Sequence, residues 1–222
     1  MKTLLLAVCL FAYTSELSAD TVESILARMD AAAPAFHALT ANTRMDTFES
    51  ILNDHTIENG QLQMQRNGKD VRAIIAFTGA NDARTISFQS KTILIYYPKL
   101  NAYTKVDVGN KGQLVNQLLL LGFGSSGKEL SASYDIKLVG QDSVGGDPTT
   151  RLQLTPKDTQ VLQTVSKVEI WIPSDAAYPV KQEFYQPNGN TQTATYTDIV
   201  LNPPMKGNLE FKLPRNAKPA NK

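Results

Sequence analysis

Residues 122–128 come closer to a recognised chemical motif than any other part of the chain. Their sequence, GFGSSGK, has the glycine and lysine spacing of a loop that wraps nucleotide phosphates. Magnesium binding by such a loop needs Ser or Thr at the next position, where this chain has Glu129. The loop also follows a helix-like run rather than a strand. We therefore expect no nucleotide chemistry here.

The other reactive side chains are few and scattered. His37 and His55 are the only histidines, and neither has Asp, Glu or Cys partners at the spacing of a zinc site. The chain has one cysteine, Cys9, and no Gly-x-Ser-x-Gly elbow. No predicted strand carries two carboxylates on one face, although distant strands could still assemble such a pair. We predict a protein that is not an enzyme and has no catalytic residues, metal or cofactor.

The N-terminal residues 1–19 have the pattern of a cleavable export signal. Lys2 precedes an apolar stretch over 4–12, and Ala19 offers a small residue at the cleavage position. The apolar stretch is too short to cross a bilayer as a helix. Cleavage would remove Cys9, so the exported protein would fold without disulfides. We predict a periplasmic protein, and an uncleaved anchor is the alternative.

Length and charge predict a single domain with no charge-driven partner. The 222 residues carry 22 Lys and Arg against 21 Asp and Glu, a net charge of +1. This balance gives no reason to expect nucleic acid as a partner. We predict one domain over 20–213, followed by a polar C-terminal tail over 214–222 that extends away from the core.

Two segments have helical periodicity. Val22, Ile25 and Met29 belong to one apolar stripe that ends near Pro34. A second apolar run covers 112–123 and is followed by a loop of glycine and serine. This second helix could be a lid over the mouth of a barrel with the loop as its hinge, or an ordinary packed helix.

Strand-like segments occupy most of the remaining chain. Short turns such as Asn67-Gly68 separate them, so consecutive strands should pair antiparallel. Residues 74–77 and 93–97 are apolar on both faces, which predicts cover by a helix on one side and a concave interior on the other. About eleven strands must curl into an unclosed barrel. They are predicted over 38–51, 56–66, 70–78, 83–89, 92–97, 101–107, 133–140, 148–155, 164–172, 179–186 and 191–200.

Four features, taken in order, resemble a known family. They are the helix that ends in Phe36-His37-Ala38; the hairpin that leads into 60–66, GQLQMQR; the strand 91–98, KTILIYYP; and the C-terminal series 168–172, 178–182, 196–199 and 210–214. Together they resemble the LolA-like outer-membrane lipoprotein carriers and the related lipoprotein-sorting and RseB-like domains.

The resemblance implies an unclosed antiparallel β-barrel with an N-terminal helix and a lid helix. It also implies a hydrophobic cavity that binds the acyl chains of a lipoprotein or another lipid. An inner-membrane release complex and an outer-membrane acceptor would be its partners, and the carrier itself is expected to be a monomer. The residues expected to line the cavity and lid are Leu62, Met64, Ile74, Ala76, Ile95, Tyr97, Leu114, Leu118, Leu121, Phe123, Ile170, Ile172 and Phe184.

A lid latch is also implied by the resemblance. The family has an arginine on an early strand, followed by proline, that holds the lid by hydrogen bonds. Arg66 is the candidate here, although Asn67 follows it, and Arg72 is the alternative. Two other functions stay open: an RseB-like domain that senses lipids or binds a partner without shuttling, and an unrelated exported β-domain. An apolar cavity favours the carrier or the RseB-like domain, and a cleft rich in carboxylates favours the third function.

Overall fold

The structure, a computed structural model, describes residues 20–68, 70–79, 83–89, 91–109, 112 and 118–220. The predicted export signal therefore lies outside the described residues. Helix α1 covers Val22–Ala32 and starts at a capping box formed by Thr21 and Ser24. A 3-10 helix, Ala33–Ala35, follows at Pro34. The other helices are α2, Gly127–Ser133; α3, Thr159–Leu162; and a 3-10 turn at Pro98–Leu100.

All described strands belong to one sheet. Its twelve strands follow the order β12-β6-β5-β4-β3-β2-β1-β11-β10-β9-β8-β7, and the two ends of this order do not pair with each other. The predicted unclosed, mainly antiparallel barrel is therefore confirmed. The strands are β1 Ala38–Glu49, β2 Asp54–Asn67, β3 Asp70–Phe77, β4 Arg84–Gln89, β5 Thr92–Tyr97, β6 Ala102–Asp107, β7 Tyr134–Val144, β8 Asp147–Pro156, β9 Lys167–Pro173, β10 Lys181–Tyr185, β11 Thr191–Leu201 and β12 Lys218–Pro219.

The C-terminal residues do not extend away from the core as predicted. Residues 218–219 form β12, which pairs in parallel with the edge strand β6. Before that, the chain crosses the outside of the sheet, where Gln65 bonds the backbone of Gly207 and Leu209. The rings of Phe211 and Tyr96 lie 5.7 Å apart. Local sequence patterns do not predict this path, because it is held by side chains that are distant in the sequence.

The pairing register defines two faces of the sheet. Leu62 and Met64 lie on the face called here the inner face, directly across from Ile75 and Ala73 of β3. Gln61, Gln63 and Gln65 lie on the outer face, the side that the C-terminal residues cross. Strands β3 and β5 are apolar on both faces because chain 202–217 covers the outer side, where we had predicted a helix.

The inner face carries two buried clusters. The first cluster joins α1, α2 and α3 to β8 and β9, with Ile25, Met29, Leu152 and Ile170 fully buried. The second cluster joins Phe36, Leu39, Leu62, Met64 and Phe123 at the β1–β3 end. Among the described residues, the helices of the first cluster therefore cover the inner side of β7–β10, while Leu119 packs with Ile75 and Phe88 against the second cluster.

Candidate apolar binding site

Strands β3–β6 present a partly exposed apolar surface on the inner face. Cross-strand pairing places Ile75 beside Ile86, Ile86 beside Ile95, and Ile93 beside Val106. The four isoleucines are partly exposed, and Val106 is 43 % exposed. Such a row of branched side chains cannot hydrogen-bond a ligand, so it suits alkyl groups.

A segment comprising residues 118–125 borders this surface. Residues 118–119 are helical, as is Gly112, while 113–117 lie outside the described residues. Leu121 and Phe123 are each only 1 % exposed, and they enter the first and the second cluster respectively. The 118–125 segment therefore spans the boundary between the two clusters.

Three side chains hold the backbone of the 118–125 segment. The Ser125 hydroxyl donates to the Leu120 carbonyl at 2.7 Å. The Gln182 amide donates to the carbonyl of Leu121, and Arg66 Nη1 donates to that of Gly124 at 2.6 Å. These bonds come from opposite sides, since Arg66 is on β2 and Gln182 is on β10. Hydrogen bonds therefore fix the segment to strands in both halves of the sheet.

The glycines at the end of this segment are packed closely. Gly124 has φ +70°, and a Cβ atom there would lie 2.1 Å from the Phe36 ring. Gly122 has φ +80° and lies against the ring of Pro179 in the same way. These glycines serve close packing as well as turning, so the predicted hinge loop is firmly seated in this structure.

Of the two candidate latch residues, Arg66 reaches the segment and Arg72 does not. Besides Gly124, Arg66 contacts Glu129 of α2 at 3.4 Å and the Gly68 carbonyl at 3.2 Å. Arg72 lies opposite Gln65 on the outer face and pairs with Asp70 at 2.8 Å. Strand alternation separates the two arginines, because their positions fall on opposite faces.

A buried polar pair supports the Leu121 bond. Gln182 is 3 % exposed, and its carbonyl oxygen accepts a 2.7 Å hydrogen bond from the Tyr196 hydroxyl. Burial raises the pKa of the Tyr196 phenol well above its usual value near 10. Tyr196 also meets the Phe123 ring edge-on at a centroid distance of 5.0 Å. The pair therefore ties the segment to β10 and β11.

Replacing Tyr196 with phenylalanine is expected to lower stability at neutral pH by about 1–3 kcal/mol, because the Gln182 oxygen loses its donor. The raised pKa also makes wild-type stability pH-dependent. That contribution is complete below pH ~10, the unfolded tyrosine value, and falls as pH rises towards the higher folded-state pKa. Urea unfolding from pH 7 to 11 should show a steeper alkaline loss in the wild type than in Tyr196→Phe.

Tyr134 contributes an alkaline loss of stability that is common to both proteins in this comparison. Burial raises the pKa of Tyr134 to about 12, and it is present in both proteins. Equal alkaline slopes in wild type and Tyr196→Phe would show that the Tyr196 hydroxyl is not kept protonated by the fold.

The structure brings together most of the predicted site residues and separates others. Ile74 and Ala76 lie on the outer face, opposite Gln63 and Gln61, so their predicted place beside Leu62 and Met64 is wrong. When a strand is apolar on both faces, its sequence does not show which side chains point to the inner face. A shift of one residue in the pairing register exchanges the two faces. Leu114 lies outside the described residues. The predicted residues that share the inner face or the 118–125 segment are Leu62, Met64, Ile95, Tyr97, Leu118, Leu121, Phe123, Ile170, Ile172 and Phe184.

Not all of these inner-face residues are open to a ligand. Ile170 and Ile172 are fully buried under the helices, and Phe184 packs against the same cluster. Ile75, Ile86 and Ile93 are accessible instead and were missed. Their alternation with Ile74, Ser87 and Leu94 could have identified them only once the register was known.

No group of three or more His, Cys, Asp or Glu residues in the described ranges could hold a metal ion. None of the helices formed by these residues combines the length and apolarity needed to cross a membrane.

Comparison with known proteins finds one matching family model and several solved structures with a similar fold. Residues 69–201, more than half of the chain, match the model of a family described as uncharacterized protein. No curated protein matches the chain. The matching solved structures include LolA-superfamily and lipoprotein-sorting proteins, the families that the motifs resemble. The shared fold itself is shown by the two structures with TM-scores above 0.5.

Three solved structures illustrate the similarity. An uncharacterized conserved protein from Thermus thermophilus has 10 % identity and a TM-score of 0.53, over 90 % of this chain and 98 % of that one. Lipoprotein LppX from Mycobacterium tuberculosis has 15 % identity and a TM-score of 0.51, over 84 % and 99 %. A LolA superfamily protein from Nitrosomonas europaea has 16 % identity and a TM-score of 0.39, over 84 % and 96 %.

Proposed function

We propose that this chain, which belongs to the family of uncharacterised proteins whose model matches residues 69–201, is a periplasmic lipid-binding carrier. It holds the acyl chains of a lipoprotein or another lipid for transfer to the outer membrane. The observation that carries this proposal is the partly exposed row of Ile75, Ile86, Ile93 and Ile95 beside a segment held by hydrogen bonds.

The energetics of shielding explain why such a surface is useful. Each methylene group removed from water contributes about 0.8 kcal/mol, so acyl chains cannot cross an aqueous compartment unshielded. Half-exposed isoleucines on a pleated sheet offer a broad contact without fixed polar partners. Met64, fully buried beside this row, has an adaptable side chain that can adjust to chains of different shape.

Arg66 acts as the latch of the 118–125 segment in this proposal. Its guanidinium grips the Gly124 carbonyl and Glu129 at once, so releasing it would free one side of the segment. The Gln182 bond would remain and keep the segment attached to β10. Cargo would thus enter on the Arg66 side, next to β2–β6.

Replacing Arg66 with methionine is expected to speed release of a bound acyl probe at least tenfold, because the segment loses its β2 anchor. The dissociation rate of a pyrene-labelled fatty acid, measured by stopped-flow fluorescence, checks this. Arg72→Met is the matched control, since Arg72 lies on the outer face, and it should leave the rate unchanged. Equal rates in the two variants would remove the latch role from Arg66.

Native mass spectrometry of the protein, purified from a periplasm without detergent, tests the carrier function. We expect a bound lipid or lipopeptide, or its uptake from an added triacylated lipopeptide. Leu118→Glu should abolish the bound mass and keep the fold, because it places a charge on the partly exposed part of the segment.

A ligand-free mass even after incubation with lipids and lipopeptide would contradict the carrier. It would favour a domain that recognises a protein partner without shuttling. The carrier proposal includes a release complex at the inner membrane and an acceptor at the outer membrane. The same result would contradict both of these partners.

A further inference from the structure

An apolar pocket lies apart from the β3–β6 surface, at the border of the two buried clusters. It has a volume of about 300 Å³ and sits where the end of α1, the β9–β10 connection and the end of β11 meet. One wall is formed by Gly124 and Ser125, at the end of the 118–125 segment. None of the residues predicted to line the cargo cavity and lid lines this pocket.

The lining is mostly apolar and includes the large side chains of Met29, Phe36, Tyr178 and Leu201. It also includes five alanines, Ala32, Ala33, Ala35, Ala176 and Ala177. A larger side chain in place of one of these alanines is expected to fill part of the pocket.

The polar groups at the wall are already engaged. The Asn202 side-chain oxygen accepts from the backbone of His37 at 2.8 Å and of Ala38 at 3.2 Å, which uses both lone pairs. Its amide donates to the Ala35 carbonyl at 2.8 Å. The Ser125 hydroxyl proton is used on Leu120. A polar ligand would find few partners here, so the occupant is apolar.

Asp175 supplies the only carboxylate among the residues that line the pocket. It is exposed, and it makes no ion pair with any residue in the ranges that the structure covers. A ligand whose head group lies at this rim would meet a negative charge. An anionic head group is disfavoured there, and a cationic one is favoured.

We propose that this pocket is a binding site for a single alkyl chain with a cationic or neutral head group. At roughly 30 Å³ per methylene group, a volume of about 300 Å³ has room for a chain of at most about ten carbons. The site is separate from the β3–β6 surface and does not depend on the proposed carrier function.

The pocket shares parts with the latch of the inner site. Phe36 lines the pocket and also belongs to the cluster of Leu62, Met64 and Phe123. Gly124 lines the pocket as well, and its carbonyl receives the Arg66 bond. An alkyl chain in the pocket would therefore contact the same residue that Arg66 holds.

The test uses the complete protein with two probes, decylammonium and decanoate, below their micelle concentrations. Ala33→Phe fills the pocket and should bind one decyl chain fewer than wild type by native mass spectrometry. Ala32→Phe, at an exposed position of the same wall, is the second variant in case Ala33→Phe does not fold. The wild-type pocket should bind decylammonium about three- to fivefold more tightly than decanoate, the size expected of one exposed ion pair.

Asp175→Asn should remove the preference for decylammonium and keep the chain bound. An unchanged number of bound chains in both pocket variants, or tighter binding of decanoate by the wild-type pocket, would overturn the proposal. Ile75→Gln separates the two sites, because it alters the inner face and should leave this one chain in place. If the carrier function fails, a single chain sensitive to Ala33→Phe would still remain.

Discussion

Replacing Ile170 with alanine is expected to lower the free energy of unfolding by about 2–5 kcal/mol and to leave acyl-chain binding by the folded protein unchanged. Ile170 is fully buried between α1 and the sheet, beside Ile25, Met29 and Leu152. Its loss would leave a cavity that the helices cannot close completely. Urea unfolding followed by circular dichroism measures the first effect, and probe titration in native buffer measures the second.

Ile95→Ala is the matched control for Ile170→Ala. Ile95 lies on the same face of the sheet but is half-exposed, so its truncation should cost less stability and weaken binding more. A loss of acyl binding in a folded Ile170→Ala protein would show that the cargo site extends under the helices.

Two neighbouring residues on β3 should respond in opposite ways to the same substitution. Ile75→Gln is expected to weaken acyl-chain binding roughly five- to 150-fold, because an amide without a partner costs about 1–3 kcal/mol against an alkyl chain. Ile74→Gln should leave binding unchanged, since Ile74 lies between Gln63 and Ser87 on the outer face. Equilibrium titration with a fluorescent fatty acid checks both values.

Melting temperatures serve as the control for this pair, because both side chains are partly buried. If Ile74→Gln weakens binding as much as Ile75→Gln while both proteins stay folded, the assignment of inner and outer face is wrong. Weak binding in Ile75→Gln alone would locate the cargo on the inner face of β3–β6.

Local patterns in the sequence were enough to predict most strands. Strand β2 alternates Leu62 and Met64 with glutamines, and Asn67-Gly68 marks its turn into β3, so both its faces and its partner could be predicted. Helix α1 could be predicted in the same way, from its apolar stripe and from Pro34 near its end. Such features depend on neighbours within a few residues, which is the range over which sequence patterns act.

Long-range features could not be predicted in this way. The β1–β11 pairing joins residues about 150 positions apart. The C-terminal crossing depends on a hydrogen bond from the Leu209 backbone N–H to the side-chain oxygen of Gln65. The inner face of β3 and β5 also needed the register, because isoleucines fill both faces of these strands. Arg66 and Arg72 became distinguishable only when pairing placed them on opposite sides.

The sequence by itself thus determined the strand-rich fold, the amphipathic α1 and the apolar character of the site, because periodicity and turn chemistry are local. The tertiary structure alone decided which isoleucines remain partly exposed, which arginine contacts Gly124, and where five alanines help to line an apolar pocket. These depend on contacts between distant segments, and in strands apolar on both faces a shift of one residue exchanges the faces.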